Sequence, residues 1–167
     1  MSLAGQKPLR ERYTIIPRTL SFVLRENEVL LIRIPEGNGA WSGMLNGIGG
    51  HIEQGEDALS AARREILEEA GLRVDDLWLR GIQLVDLGAS PGIGLYIFVG
   101  TSASDKVQEH LEGSPTWVAL DDLRHRPLVE DLPALIPKAL DAHGNRTVFF
   151  GITTFDPSGR PIIAFAS

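Results

Sequence analysis

The stretch GHIEQGEDALSAARREILEEAGL, residues 50–72, decides how the rest of the chain is read. Its middle predicts a helix from Asp57 to Ala70. Asp57 can accept the first unpaired N–H groups, and Gly71 supplies the left-handed residue on which helices commonly end. Leu59, Ala62, Ile66 and Ala70 fall on one apolar stripe, the pattern of a helix laid against a core. Beside that stripe, at offsets of three and four residues, Glu65, Glu68 and Glu69 project into one arc. Like charges so spaced destabilise a bare helix by roughly a few tenths of a kcal/mol per pair, so the crowding requires either a compensating cation or a fully solvated face. Carboxylate oxygens grouped without His or Cys suit magnesium or manganese, which share their coordination with substrate phosphates. Arg64, one turn ahead of Glu68, can orient a neighbouring carboxylate through a two-point contact that lysine would reproduce poorly.

Outward from the helix, the pattern changes to that of strands. Arg12 to Leu24 and Val29 to Ile34 are rich in Ile, Val, Leu and Phe, and the polar turn at residues 25–28 makes them a hairpin. The short segment Asn46 to Ile52 is apolar and glycine-rich, as backbone must be where it turns tightly or approaches something closely. After the helix, Leu77 to Leu87 and Gly94 to Thr101 read as strands and a third short strand surrounds Trp117, which is either core or a surface on which a base stacks. Asp131 to His143 is helical, with Pro133 in its opening turn and Pro137 implying a kink or a later start. Phe149 to Phe155 and Pro161 to Phe165 close with a hairpin around residues 156–159. Strands mixed with two helices favour helices packed on a mixed sheet.

At 167 residues and 43% hydrophobic content the chain suits one domain, residues 1–167, with no repeat or linker. Sixteen basic against 22 acidic residues leave a net charge of −6, which argues against nucleic acid and anionic membrane as partners but not against an anionic small molecule, because a bound divalent cation inverts the local charge. The absence of cysteine excludes disulfides, zinc-thiolate sites and a thiol nucleophile. Without an apolar leader or a span-length apolar run, the expected location is cytoplasmic. The four histidines are scattered and form no ligand pair.

Read as Gly50, five residues, Glu56, seven residues, then Arg64-Glu65-Ile66-x-Glu68-Glu69-x-Gly71-Leu72, the opening stretch resembles a complete Nudix box, with no defined position missing. The resemblance implies an α/β/α sandwich and metal-dependent hydrolysis of a phosphoanhydride in a nucleoside diphosphate derivative. It implies Glu65, Glu68 and Glu69 as ligands of magnesium or manganese, with the Gly50 carbonyl contributing, and Glu56 and Arg64 positioning that set. Relatives also draw an acid from a loop ahead of a late strand, for which Glu112, or else Glu109, is the candidate. Glu65 is the candidate base, and many relatives pair as homodimers.

Within that family, Asn46 resembles the asparagine that reads a purine edge in the MutT-like branch acting on oxidised purine nucleoside triphosphates such as 8-oxo-dGTP. An amide offers both the donor and the acceptor that base recognition requires, although the residue is also at home in a turn before Gly47. Glu130 and Asp131 resemble the acidic pair that meets the base in that branch, while Asp131 is equally placed to cap a helix. The expected substrate is a purine nucleoside triphosphate, split to monophosphate and pyrophosphate. ADP-ribose, dinucleoside polyphosphates and a non-catalytic nucleotide sensor stand as alternatives.

Overall fold

The computed structural model describes residues 12–37, 39–108 and 113–166. Strands β1 (Ile15–Arg25) and β2 (Glu28–Arg33) form the expected hairpin, closed by a pairing of Arg25 with Glu28 and by Glu26 in the left-handed region at φ 53°. The chain continues through β3 (Leu45–Asn46), helix α1 (Ala58–Ala70), β4 (Leu77–Val85), β5 (Gly92–Thr101) and β6 (Ser114–Ala119). It ends with α2 (Leu132–Gly144), β7 (Phe149–Phe155) and β8 (Pro161–Phe165). The strands join into one sheet in the order β3-β2-β1-β5-β4-β7-β8, with β6 on the other edge of β2. Pairs β1/β5 and β4/β7 are parallel and the remaining pairs antiparallel, so the sheet is mixed as the pattern predicts.

Alternate side chains of the central strands feed two separate cores. Leu30, Ile32 and Phe98 pack with Ala62, Ile66 and Ala70 of α1, whereas Leu31, Ile97 and Val99 pack with Leu132, Leu135 and Ile136 of α2. A sheet apolar on both faces has to be covered on both, and the outcome is an α/β/α sandwich. Helix α2 begins at Leu132 and carries Pro137 inside it, so the later start that the proline allowed is not taken. The proline forfeits a single bond to the carbonyl one turn earlier, and the buried Leu135, Ile136 and Ala139 hold the helix together across that gap. No helix among the described residues is long and apolar enough to cross a membrane.

One irregularity of the sheet positions everything that follows. On one edge β2 pairs with β6 throughout, while on the other it pairs first with β1 and then, at Ile32 and Arg33, with β3. Strand β1 meanwhile stays on β5 over its length, and its free edge meets Ile48 at Ser21 and His51 at Arg18. The glycine-rich segment 45–51 therefore fills a fork between β1 and β2. It lies so close to β1 that a Cβ on Gly49 would stand 2.1 Å from the Thr19 carbonyl oxygen. Backbone cannot retreat as a flexible side chain can, so Gly49→Ala is expected to lower stability by about 1–3 kcal/mol or more in urea unfolding. An unchanged midpoint would show that the fork can open.

Candidate active site

Helix α1 begins and ends as its sequence requires. Asp57 Oδ1 accepts the N–H groups of Leu59 and Ser60 at 2.9 and 3.0 Å, and Gly71, at φ 68°, donates its N–H to the Leu67 carbonyl. With both ends fixed, the phase of the helix is fixed too. The stripe of Ala62, Ile66 and Ala70 is fully buried, which carries Glu65 and Glu69 partly under the edge of the core, at 8% and 9% exposure.

Arg64 organises the acids around it. Its Nε and Nη2 grip Glu56 side-on at 2.9 and 3.0 Å, Nη1 reaches Glu65 at 2.8 Å and Glu68 at 3.0 Å, and Nη2 also donates to the His51 carbonyl at 3.1 Å. These contacts use all five N–H donors of the guanidinium. Glu56 in turn accepts the Glu53 N–H at 3.2 Å, so the loop that leads into α1 is tied to the same cation. The hydrogen bond to Arg64 holds the Glu56 carboxyl below its usual range, and the three acids hold the Arg64 guanidinium above its own.

Gly50 lies against this cluster. A Cβ there would fall 2.3 Å from Glu65 Oε1, so only glycine lets the backbone approach the carboxylate, and the Gly50 carbonyl is oriented by the Thr19 N–H at 2.9 Å. Carboxylates of Glu65, Glu68 and Glu69 beside a backbone carbonyl form an all-oxygen donor set that fits a magnesium-type cation. Among the described residues no three acidic or histidine side chains already stand at ligand distance. Glu68, whose side chain is 57% exposed, has the freedom to swing in from Arg64. Glu112 and Glu109 lie outside the described residues.

Across the sheet, on the α2 face, is a cavity of about 280 Å³. Asn46, Glu130 and Asp131, far apart in sequence, all line it. Asn46 Oδ1 accepts the Gly47 N–H at 2.9 Å, which engages one end of the amide. The turn role and the cavity role of Asn46 thus coexist. Asp131 precedes α2, yet its side chain makes no capping bond and lines the cavity instead. Burial, reinforced by the charge of Glu130, pushes its carboxyl upward.

Sequence reasoning missed several walls of this cavity. Trp41 sits in a 3-10 turn (Gly39–Trp41) of the glycine-rich loop and is 48% exposed; Arg18 and Thr153 come from β1 and β7. Only the oddity of an aromatic among glycines and of polar residues at inward strand positions could have marked them. Trp117 belongs to the core: it packs on the α1 side, donates to the Asp105 carbonyl at 3.1 Å and does not line the cavity.

Fold and box together define a Nudix hydrolase. The NUDIX domain pattern matches residues 16–139, and the chain belongs to that family. It is 35% identical over 125 residues to the oxidized purine nucleoside triphosphate hydrolase of Mus musculus, covering 72% of this chain and 79% of that enzyme. It is also 30% identical over 113 residues to an NAD-capped RNA hydrolase of Pseudomonas syringae, covering 68% of this chain and 39% of that enzyme. Among solved structures, a MutT protein from Bacillus halodurans superposes with a TM-score of 0.70 at 23% identity, covering 90% of this chain and 97% of the other.

Lysine has three donors and no planar fork, so Arg64→Lys is expected to cut turnover by about 10- to 100-fold while α1 keeps its helicity. In the same variant the Glu56 carboxyl should titrate at higher pH, because the bond that depresses it is weakened. An NMR titration of Glu56 identical to wild type would disprove the clamp.

Proposed function

We propose that this Nudix hydrolase splits a purine nucleoside triphosphate, oxidised purines included, into the monophosphate and pyrophosphate with the help of magnesium or manganese. The observation that carries the reading is the cavity in which Asn46, Glu130 and Asp131 meet. Thr19 and Gly49 line that cavity too, and they adjoin Gly50, whose backbone lies against Glu65. A base held among Asn46 and Asp131 would thus leave its phosphates near the fork and the acids of α1. The likeness to the murine enzyme, whose name specifies oxidised purine nucleoside triphosphates, supports the same substrate class.

In this reading Asn46 Nδ2 donates to an acceptor on the base edge, and Asp131 either accepts from the base or, once protonated, donates to it. Glu65, Glu68, Glu69 and the Gly50 carbonyl would hold the divalent cation, with an acid from the loop at 109–112 as a further ligand. When bound, that ion neutralises phosphate charge and acidifies water. Glu65, nine-tenths buried, takes the proton of the attacking water, while Arg64 and Glu56 keep the carboxylates in place. The acidic net charge argues against a long nucleic acid strand as substrate.

The deciding experiment incubates the protein and magnesium with ordinary and oxidised purine triphosphates, ADP-ribose and diadenosine polyphosphates, and identifies the products by mass. Monophosphate plus pyrophosphate from a triphosphate is the expected result. Cleavage of ADP-ribose or a dinucleotide alone would overturn the substrate reading, and tight binding without turnover would make the protein a sensor. Glu68→Gln and Glu69→Gln are each expected to lower turnover by at least about 100-fold with the fold intact, since a ligand loses its charge at nearly constant volume.

Asp131 supplies a test with its own sign. A carboxyl raised in the folded state stabilises only while protonated, and that contribution is lost as pH rises through its folded value. Asp131→Asn, neutral throughout, should therefore melt at a higher temperature than wild type at pH 7 to 8. The difference should vanish below about pH 4, where both side chains are uncharged. A variant less stable at neutral pH would place Asp131 in a bonded, stabilising role instead.

A further inference from the structure

One wall of the cavity, Thr153, belongs to a polar pair that neither the box nor Asn46 accounts for. On the α2 face of the sheet, Arg18, Leu95, Gln83 and Gly151 form one cross-strand row, and Ile93, Val85 and Thr153 form the next. Gln83 is fully buried, and its Nε2 donates to Thr153 Oγ1 at 2.9 Å. Its Oε1 has no partner. Gly151 makes room for this amide, since a Cβ there would stand 2.1 Å from Oε1. Thr153, 2% exposed, lines the cavity, and its hydroxyl proton meets no acceptor among the described residues.

A buried pair so incomplete is costly unless something completes it. In the orientation described, the Nε2 bond fills a lone pair of the hydroxyl, the amide oxygen lies beside Gly151, and the Thr153 proton is the donor to spare. The remaining floor beside the pair, Val85, Ile93 and Leu95, is aliphatic.

We propose that Thr153, oriented by Gln83, is a specificity-determining donor that receives a hydrogen-bond acceptor of the bound base, a ring nitrogen or carbonyl oxygen on the part that meets β7. Thr153 touches the ligand, whereas Gln83 is a positioning residue: by occupying one lone pair of the hydroxyl it directs the proton elsewhere. The inference rests on the reading of this cavity as a base site. It adds a second polar contact, well separated in the sheet from Asn46, so that a base must match at two places.

The test measures binding of a panel of nucleoside monophosphates, purine and pyrimidine, ordinary, oxidised and ring-deaza, by calorimetry, and hydrolysis of the matching triphosphates, for wild type, Thr153→Val, Gln83→Leu and Asn46→Ala. Thr153→Val conserves shape and should weaken binding of the preferred base by about 3- to 10-fold, the range for one neutral hydrogen bond. The loss should appear in KM rather than kcat and should disappear for one deaza or deoxo analogue lacking the acceptor. Gln83→Leu removes an unpaired buried oxygen together with the bond to Thr153, so it should melt close to wild type yet show a flattened base preference. A residue that merely supports the sheet would change stability and base preference together or not at all. If Asn46→Ala shifts the ranking of bases and Thr153→Val leaves it unchanged, the inference is overturned while the base site stands. If wild type neither binds nor cleaves any member of the panel, the base-site reading falls and this inference falls with it.

Discussion

Everything at the candidate site depends on one guanidinium. Four acids, Glu56, Glu65, Glu68 and Glu69, crowd the first half of the box loop and one face of α1, an arrangement whose mutual repulsion would fray a short helix or turn its side chains out to water. Arg64 spreads its donors over three of them and over the His51 carbonyl. Because the contacts run from the loop before the helix to Glu68, the arginine ties that loop to the helix. The planar fork matters more than the charge, since a point charge could not hold so many directions at once.

The clamp would be useless without the fork in the sheet. Segment 45–51 takes the place along β1 that β2 vacates, and it brings Gly50 against Glu65 at a distance that no side chain would permit. Here the glycines serve as spacing and not as hinges. The close approach to Thr19 and the close approach to Glu65 come from consecutive residues, so the strand edge and the helix are registered to each other through two missing Cβ atoms.

Some of this was legible in the sequence for definite reasons. The helix and its caps are local: Asp57 and Gly71 act on N–H groups within one turn of themselves, so the pattern alone locates Ala58–Ala70 to within a residue. The mixed sheet follows from apolar runs long enough to be buried on both faces. What the sequence concealed is non-local. Thr153 and Trp41 join Asn46 and Asp131, which only the family resemblance had grouped, because β3, the start of α2 and β7 converge, and no spacing rule connects them. Nothing in the sequence singles out Gln83, and only the register with Gly151 shows where its amide goes. Pro137 left a kink or a later start open, and only the later start is ruled out, because a helix already anchored by buried side chains tolerates one lost hydrogen bond.

The two faces of the sheet carry different work. The acids of α1 lie on one side, the cavity with its polar contacts lies on the other, and the two meet only at the fork. On the proposed reading, β4, β5, β7 and the turn ahead of α2 could change to suit a new ligand without disturbing the helix whose acids would face phosphate. The sheet would thereby hold the chemistry and the choice of ligand on separate faces, each open to change without loss of the other.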